Sequence, residues 1–158
     1  PYISLQGSFG PDWHLTSSLA IPSSSASVAT AQALRDSWTT SLGLFQLIPI
    51  GYQGTLALRL EAQISPFLSW SEQTIPIPRY ALMLYPEISY SIEGGPQFTI
   101  RSIVSPVDTC AVLMGGVQWN ILQGLTLQAY LTTNLGDEDD TFASEGSSAL
   151  LFGANWVY

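Results

Sequence analysis

Few residues of this sequence could carry out chemistry, and they do not converge on one reaction. The chain has one histidine, His14, and one cysteine, Cys110. Nucleophilic catalysis needs a base oriented toward its nucleophile, and the neighbours Thr16 and Ser18 form no such arrangement with His14. Cys110 lies in an apolar run and is expected to be a small buried side chain. We therefore predict no enzyme activity and no cofactor.

The charge balance of the chain is strongly acidic. It contains no lysine, four arginines and twelve acidic residues, for a net charge of -8. Nucleic acid is excluded as a partner, because phosphate binding needs a basic face. The run Asp137–Asp140 places four carboxylates together, and such carboxylates can bind a divalent cation, but their spacing does not follow a calcium loop. We predict a solvated loop there and no metal site.

The composition predicts a single domain, residues 1–158, that meets a partly non-aqueous environment. Apolar residues make up 46% of the 158 residues and charged residues 10%, against about 25% charged in an ordinary soluble domain. A membrane-spanning helix is not predicted, because it needs roughly 20 consecutive apolar residues. The longest apolar run, Cys110–Val117, has eight residues.

Alternation of apolar and polar residues is the dominant pattern and predicts β-strands. In residues 55–65 every second position is apolar, and the length suits a tilted membrane strand of roughly 9–11 residues. The same pattern recurs and predicts nine strands, at 2–9, 13–21, 37–47, 54–65, 79–92, 97–105, 109–121, 124–134 and 147–158.

The connections between these strands alternate between short and long, except that the link 105–108, on the long side of the alternation, is also short. Short turns are predicted at 10–12, 49–51, 94–96 and 123–124, and long loops at 22–36, 66–78 and 135–146. The alanine-rich segment 24–36 predicts a short helix in the first loop. Short turns on one rim and long loops on the other are the layout of an antiparallel up-and-down transmembrane β-barrel. A soluble β-sandwich also alternates, but its outer face would carry more charge than either face here.

The polar side of the alternation is expected to face the barrel interior. An arginine that faced lipid at the bilayer midplane would cost roughly 2–4 kcal/mol. The residues predicted to line the interior are Arg59, Glu61, Gln63, Glu87, Arg101, Gln118, Gln128 and Tyr130.

The apolar side is expected to face lipid. Large aromatic residues near strand ends suit the girdles that outer-membrane barrels place at the two membrane interfaces. The predicted interface aromatics are Trp13, Trp38, Tyr80, Trp119, Trp156 and Tyr158. The residues predicted to point outward are Trp38, Leu58, Leu84, Leu113, Leu127 and Phe152.

The segment Leu150–Tyr158 ends on an aromatic residue, with apolar residues at every second position before it. It resembles the closing strand of bacterial outer-membrane β-barrel proteins. The resemblance implies a location in the bacterial outer membrane and recognition of this strand by the barrel assembly machinery. It also implies that the short turns lie in the periplasm and that the long loops lie outside the cell.

The strand count leaves the function open between two alternatives. Complete single-chain bacterial barrels have an even number of strands, so nine strands lead us to expect missing N-terminal sequence. A miscounted strand in an eight-stranded barrel is the other explanation.

About eight strands give a filled interior, whereas 16–18 leave an aqueous channel. We predict a channel or transport barrel for passive passage of small hydrophilic solutes. The alternative is a non-conducting structural or surface-binding barrel that partners an envelope protein or forms an oligomer.

Overall fold

The computed structural model describes residues 2–19, 35–71, 80–122, 124–136 and 148–156. This part of the chain is all-β, apart from turns and one helical turn at 35–36. No helix within it is long and apolar enough to cross a membrane. The strands are β1 (Tyr2–Ser8), β2 (Asp12–Ser18), β3 (Thr39–Ile50), β4 (Gly54–Ile64), β5 (Leu82–Ile92), β6 (Pro96–Ser105), β7 (Cys110–Leu122), β8 (Leu125–Leu135) and β9 (Ser148–Trp156).

All nine strands form one antiparallel sheet in which each strand pairs with the next along the chain. The nine predicted strands and their order of pairing are confirmed. β1 and β9 are the two edges, and no pairing joins them among the described residues. The sheet is therefore open, and closure into a barrel is not part of the observed fold.

The turns explain where the predicted strand bounds were wrong. β3 continues through Pro49 to Ile50, because Ile48 and Ile50 extend its apolar side, and the turn falls at 51–53 instead of 49–51. The turns between β1 and β2, β3 and β4, β5 and β6, and β7 and β8 each contain a glycine with positive φ: Gly10, Gly51, Gly94 and Gly124. A glycine adopts this conformation without the steric cost that a Cβ would bring.

The cross-strand register divides the side chains between two faces, because direct partners in an antiparallel pair point to the same side. Arg59 pairs with Glu87, and Glu87 pairs with Arg101. Leu58 and Arg59 lie on opposite faces, because they are adjacent residues of β4. Followed across the sheet, the register puts all eight predicted interior residues on one side, here called the polar face.

The opposite side, here called the apolar face, contains five of the six residues predicted to point outward: Leu58, Leu84, Leu113, Leu127 and Phe152. The sixth residue, Trp38, lies just before β3, and its hydrogen-bond partner Ser17 lies on the apolar face, where Ser17 pairs with Thr40. The prediction placed it inside a strand, but β3 begins one residue later, at Thr39. The Trp38 indole N–H donates a hydrogen bond to Ser17 Oγ at 2.9 Å, and its ring packs on Phe67 with centroids 5.7 Å apart. These contacts hold the indole beside the sheet end.

The polar face is not polar throughout. Phe45, Leu47 and Leu151 lie on it and are exposed. The first two lie on β3, and the third lies on the edge strand β9. The alternation is therefore imperfect on β3 and on β9.

Neither face of the sheet is covered by a second layer in the described part of the chain. The accessible surface is 10941 Å², whereas a compact monomer of 17.1 kDa exposes roughly 7,800 Å². The described side chains with the least exposure all lie near the rim of the long connections: Ser65, Tyr80, Ala81, Ser105, Asp108 and Cys110. The apolar residues of the mid-sheet thus have no hydrophobic core to enter.

Pro86 interrupts the pairing of two central strands. The register between β5 and β6 runs from Leu84 opposite Val104 to Glu87 opposite Arg101, with no paired residues between them. Proline has no N–H to donate to a ladder and is usually confined to edges and bulges. The gap at Tyr85 and Pro86 therefore opens the sheet in its middle.

Candidate functional site

The charged residues of the polar face form a row across three neighbouring strands. Arg59 on β4, Glu87 on β5 and Arg101 on β6 are direct cross-strand partners at one height in the sheet. Glu61 lies two residues along β4 from Arg59, on the same face. The sequence predicted these four residues for one face, and the register brings them together.

The charges of this row are not neutralised equally. Arg59 Nη2 donates to Glu61 Oε2 at 3.3 Å. Arg101 instead donates from Nε and Nη2 to the Met114 sulfur at 3.2 and 3.1 Å, and a thioether is a weak acceptor. Within the described ranges, neither Arg101 nor Glu87 has an oppositely charged partner within 4.0 Å. The centre of the polar face therefore holds one cation and one anion that remain available.

A cavity of about 390 Å³ lies beside this row. Its polar lining includes Gln63 and Tyr85, which are joined by a hydrogen bond from the Tyr85 hydroxyl to Gln63 Oε1 at 3.2 Å. Pro86 and Ser102 also line it, so the cavity lies where the β5–β6 pairing is interrupted. The interrupted pairing between β5 and β6 and the cavity therefore lie at the same place in the sheet.

The apolar floor of the cavity was not predicted. Ile103, Val112 and Met114 line it from β6 and β7, and the register places all three on the polar face. Both sides of β7 are apolar in this stretch, so simple alternation does not assign them. Their face follows instead from the pairing of β7 with β6.

The remaining predicted interior residues extend the polar face toward β8. A smaller cavity of about 220 Å³ is lined by Gln118 and Tyr130 together with Glu87 and Arg101. The Tyr130 ring lies over its direct partner Gly116, and the Gln128 side chain similarly lies over Gly153. A large side chain that covers a cross-strand glycine restores packing that the glycine lacks.

We expect Gly116→Ala to destabilise the sheet by about 1–3 kcal/mol, because the new methyl group would overlap the Tyr130 ring. Gly115→Ala is the matched control, since no heavy atom lies within 4 Å of a Cβ at that position. It should be neutral or stabilising by up to about 1 kcal/mol. The measurement is the urea-induced unfolding free energy of both variants in detergent. Equal effects at the two glycines would contradict the packing described for Tyr130.

The predicted interface aromatics other than Trp38, which is described above, do not share one environment. Trp13, Trp119 and Trp156 lie on the apolar face at the rim of the short turns. Tyr80 lies at the opposite rim and is buried, with 7% exposure, so the structure does not place it among interface aromatics. Tyr158 lies outside the described residues.

A buried polar cluster at the rim of the long connections explains the burial of Tyr80. Its hydroxyl donates to Asp108 Oδ1 at 2.6 Å, and the Cys110 thiol donates to Asp108 Oδ2 at 3.1 Å. The Asp108 backbone N–H donates to Ser105 Oγ at 3.3 Å. Cys110 is 1% exposed, which confirms its predicted burial, and Asp108 is 3% exposed. This cluster ties the segment before β5 to the turn between β6 and β7.

Thr109 in the same turn has a φ of 51°, which is unusual for a β-branched residue. The hydrogen bonds of Asp108 on one side and the β7 pairing of Cys110 with Ser105 on the other fix this backbone. Such a conformation persists where the surrounding contacts over-determine it.

The other candidate groups form no chemical centre. The His14 ring lies over Gly43, its direct partner on β3. No group of three or more histidine, cysteine or acidic side chains could hold a metal ion in the part of the chain that the structure describes. The acidic run Asp137–Asp140 and nearly all of the predicted helix 24–36 lie outside that part.

Comparison of the chain with models of protein families, with curated proteins and with solved structures finds no match in any of the three.

Proposed function

We propose that this protein forms an outer-membrane barrel that passes small hydrophilic solutes through its interior. The observation that carries the proposal is the single sheet with two uncovered faces of different chemistry. A soluble sandwich would bury its apolar face against a second sheet, and the described residues supply none. Lipid outside and water inside would satisfy both faces without a second layer.

The edge strands support closure of the sheet. Neither β1 nor β9 contains a charged residue or a proline, which are the usual means of protecting an exposed edge. In lipid, each unpaired backbone group would cost several kcal/mol. β1 and β9 run in the same direction, because seven strands separate them in an antiparallel meander. Antiparallel closure therefore requires an odd number of additional strands between them.

The unneutralised charges favour a water-filled interior over a filled one. A plugged barrel packs its interior side chains into a bonded network. Arg101 and Glu87 are direct cross-strand partners and still do not pair with each other. Charges left in this state need water, which a channel supplies. We also propose that the segment Leu150–Tyr158 is the strand recognised by the barrel assembly machinery.

Conductance in a planar bilayer tests this function. We expect stable single-channel steps, and we expect Arg101→Glu to raise the cation-to-anion permeability ratio several-fold, because it reverses a charge beside the conduction path. Arg35→Glu is the control, since Arg35 is exposed and lies outside the sheet. It should change the ratio far less.

Absence of conductance from well-folded protein would overturn the channel. The chain would then be better described as a structural or surface-binding barrel that partners another envelope protein or a second copy.

A further inference from the structure

We propose that the cavity on the polar face binds small zwitterions that carry an apolar side chain, the chemical class of an aliphatic amino acid. The carboxylate would contact Arg101, the ammonium group would contact Glu87, and the side chain would lie on Ile103, Val112 and Met114. This inference rests on the proposed function, because it assumes that the polar face meets solute-bearing water.

The charges of the site select against simpler ions. An anion that approaches Arg101 also meets Glu87, its direct partner on β5, and a cation that approaches Glu87 meets Arg101. Direct partners have Cβ atoms about 4.5–5.5 Å apart, so both charges act on any small ligand. A zwitterion satisfies both charges, and in an α-amino acid the two ionic groups are attached to one carbon.

The available donors favour Arg101 over Arg59 as the carboxylate contact. Arg59 already donates to Glu61. Arg101 donates only to the Met114 sulfur among its described partners, and its planar guanidinium has five N–H donors suited to a carboxylate. Exchange of the weak thioether acceptor for a carboxylate is therefore favourable.

The apolar floor of the cavity favours a ligand that has an aliphatic side chain. Ile103 is 39% exposed although it lies on the polar face. It pairs directly with Val112, and Arg101 pairs directly with Met114, so the apolar residues begin immediately beside the charged ones. A ligand with an aliphatic group next to its charges would remove this apolar surface from water. The cavity of about 390 Å³ is of the size found in sites for small molecules.

Equilibrium binding to the folded full chain in detergent tests the proposal without any need for conductance. The probe is leucine, measured by equilibrium dialysis. Three analogues each lack one feature: 4-methylpentanoate lacks the ammonium group, 3-methylbutylamine lacks the carboxylate, and glycine lacks the aliphatic side chain. We expect leucine to bind about fivefold or more tightly than each of them.

Two variants identify the residues. Arg101→Gln and Glu87→Gln should each weaken leucine binding about fivefold or more. Asp12→Asn makes the equivalent loss of a carboxylate on β2, away from the cavity, and should leave binding unchanged. Equal affinity for leucine and the three analogues would overturn the inference, as would undiminished binding by a folded Arg101→Gln protein.

The outcomes separate this inference from the proposed function. Leucine binding without conductance would reject the channel and keep the site. Conductance without preference for leucine would keep the channel and reject the site.

Discussion

Replacement of Ile100 by arginine is expected to destabilise the protein in a lipid bilayer by about 2–4 kcal/mol, the cost of an arginine on the lipid face at the midplane. Ile100 lies in the middle of β6, on the apolar face, and is 56% exposed. Thr99→Arg is the matched control. Thr99 is the preceding residue and lies on the polar face, where it lines the smaller cavity beside Glu87. The new arginine would meet water and a carboxylate there, so we expect little loss.

The measurement is the unfolding free energy of both variants in lipid vesicles, followed by tryptophan fluorescence in urea. The test separates a membrane protein from a soluble one, because an exposed side chain in water tolerates arginine within about 0.5 kcal/mol. Equal stability of the Ile100→Arg and Thr99→Arg proteins would contradict the proposal that the apolar face meets lipid.

Replacement of Asp108 by alanine is expected to cost about 2–4 kcal/mol of unfolding free energy, because it removes the acceptor of two buried donors. The Tyr80 hydroxyl and the Cys110 thiol both donate to this carboxylate. Loss of a hydrogen bond to a buried carboxylate costs about 1–3 kcal/mol. The effect should be large because all three side chains are buried and because Tyr80 lies 28 residues before Asp108 in the chain.

Smaller changes in the same cluster provide the controls. Tyr80→Phe removes one donor and keeps the carboxylate, so we expect a loss of about 1–2 kcal/mol. The double variant Tyr80→Phe with Asp108→Ala should be less destabilised than the sum of the two single variants, because they share one hydrogen bond. Additive losses in urea unfolding would contradict the coupling of these residues.

The sequence was sufficient to predict the strands and their faces. Alternation has a period of two residues, so once one residue of a strand is placed on a face, the faces of all its other side chains follow. Leu58 and Arg59 illustrate this, since their opposite faces follow from adjacency alone. The order of pairing was also predictable, because strands that follow one another along the chain are usually neighbours in a sheet.

The features that alternation could not predict are those that depend on two strands at once. Asp108 follows a strand in a turn, and its burial depends on hydrogen bonds from Tyr80 and Cys110, which lie on two different segments. The cavity beside Pro86 likewise depends on the register of β5 with β6. Trp38 was predicted inside a strand, but it lies just before β3, where its indole donates to Ser17 on the neighbouring strand.

The pairing of every strand with its sequence neighbours makes the hairpin the modular unit of this sheet. Removal or duplication of an internal hairpin leaves the flanking strands antiparallel and keeps the two faces on their sides. A single added strand would reverse the direction of everything that follows it. The width of such a sheet can therefore change in steps of two strands, by gene duplication or by design, without any redesign of the residues that remain.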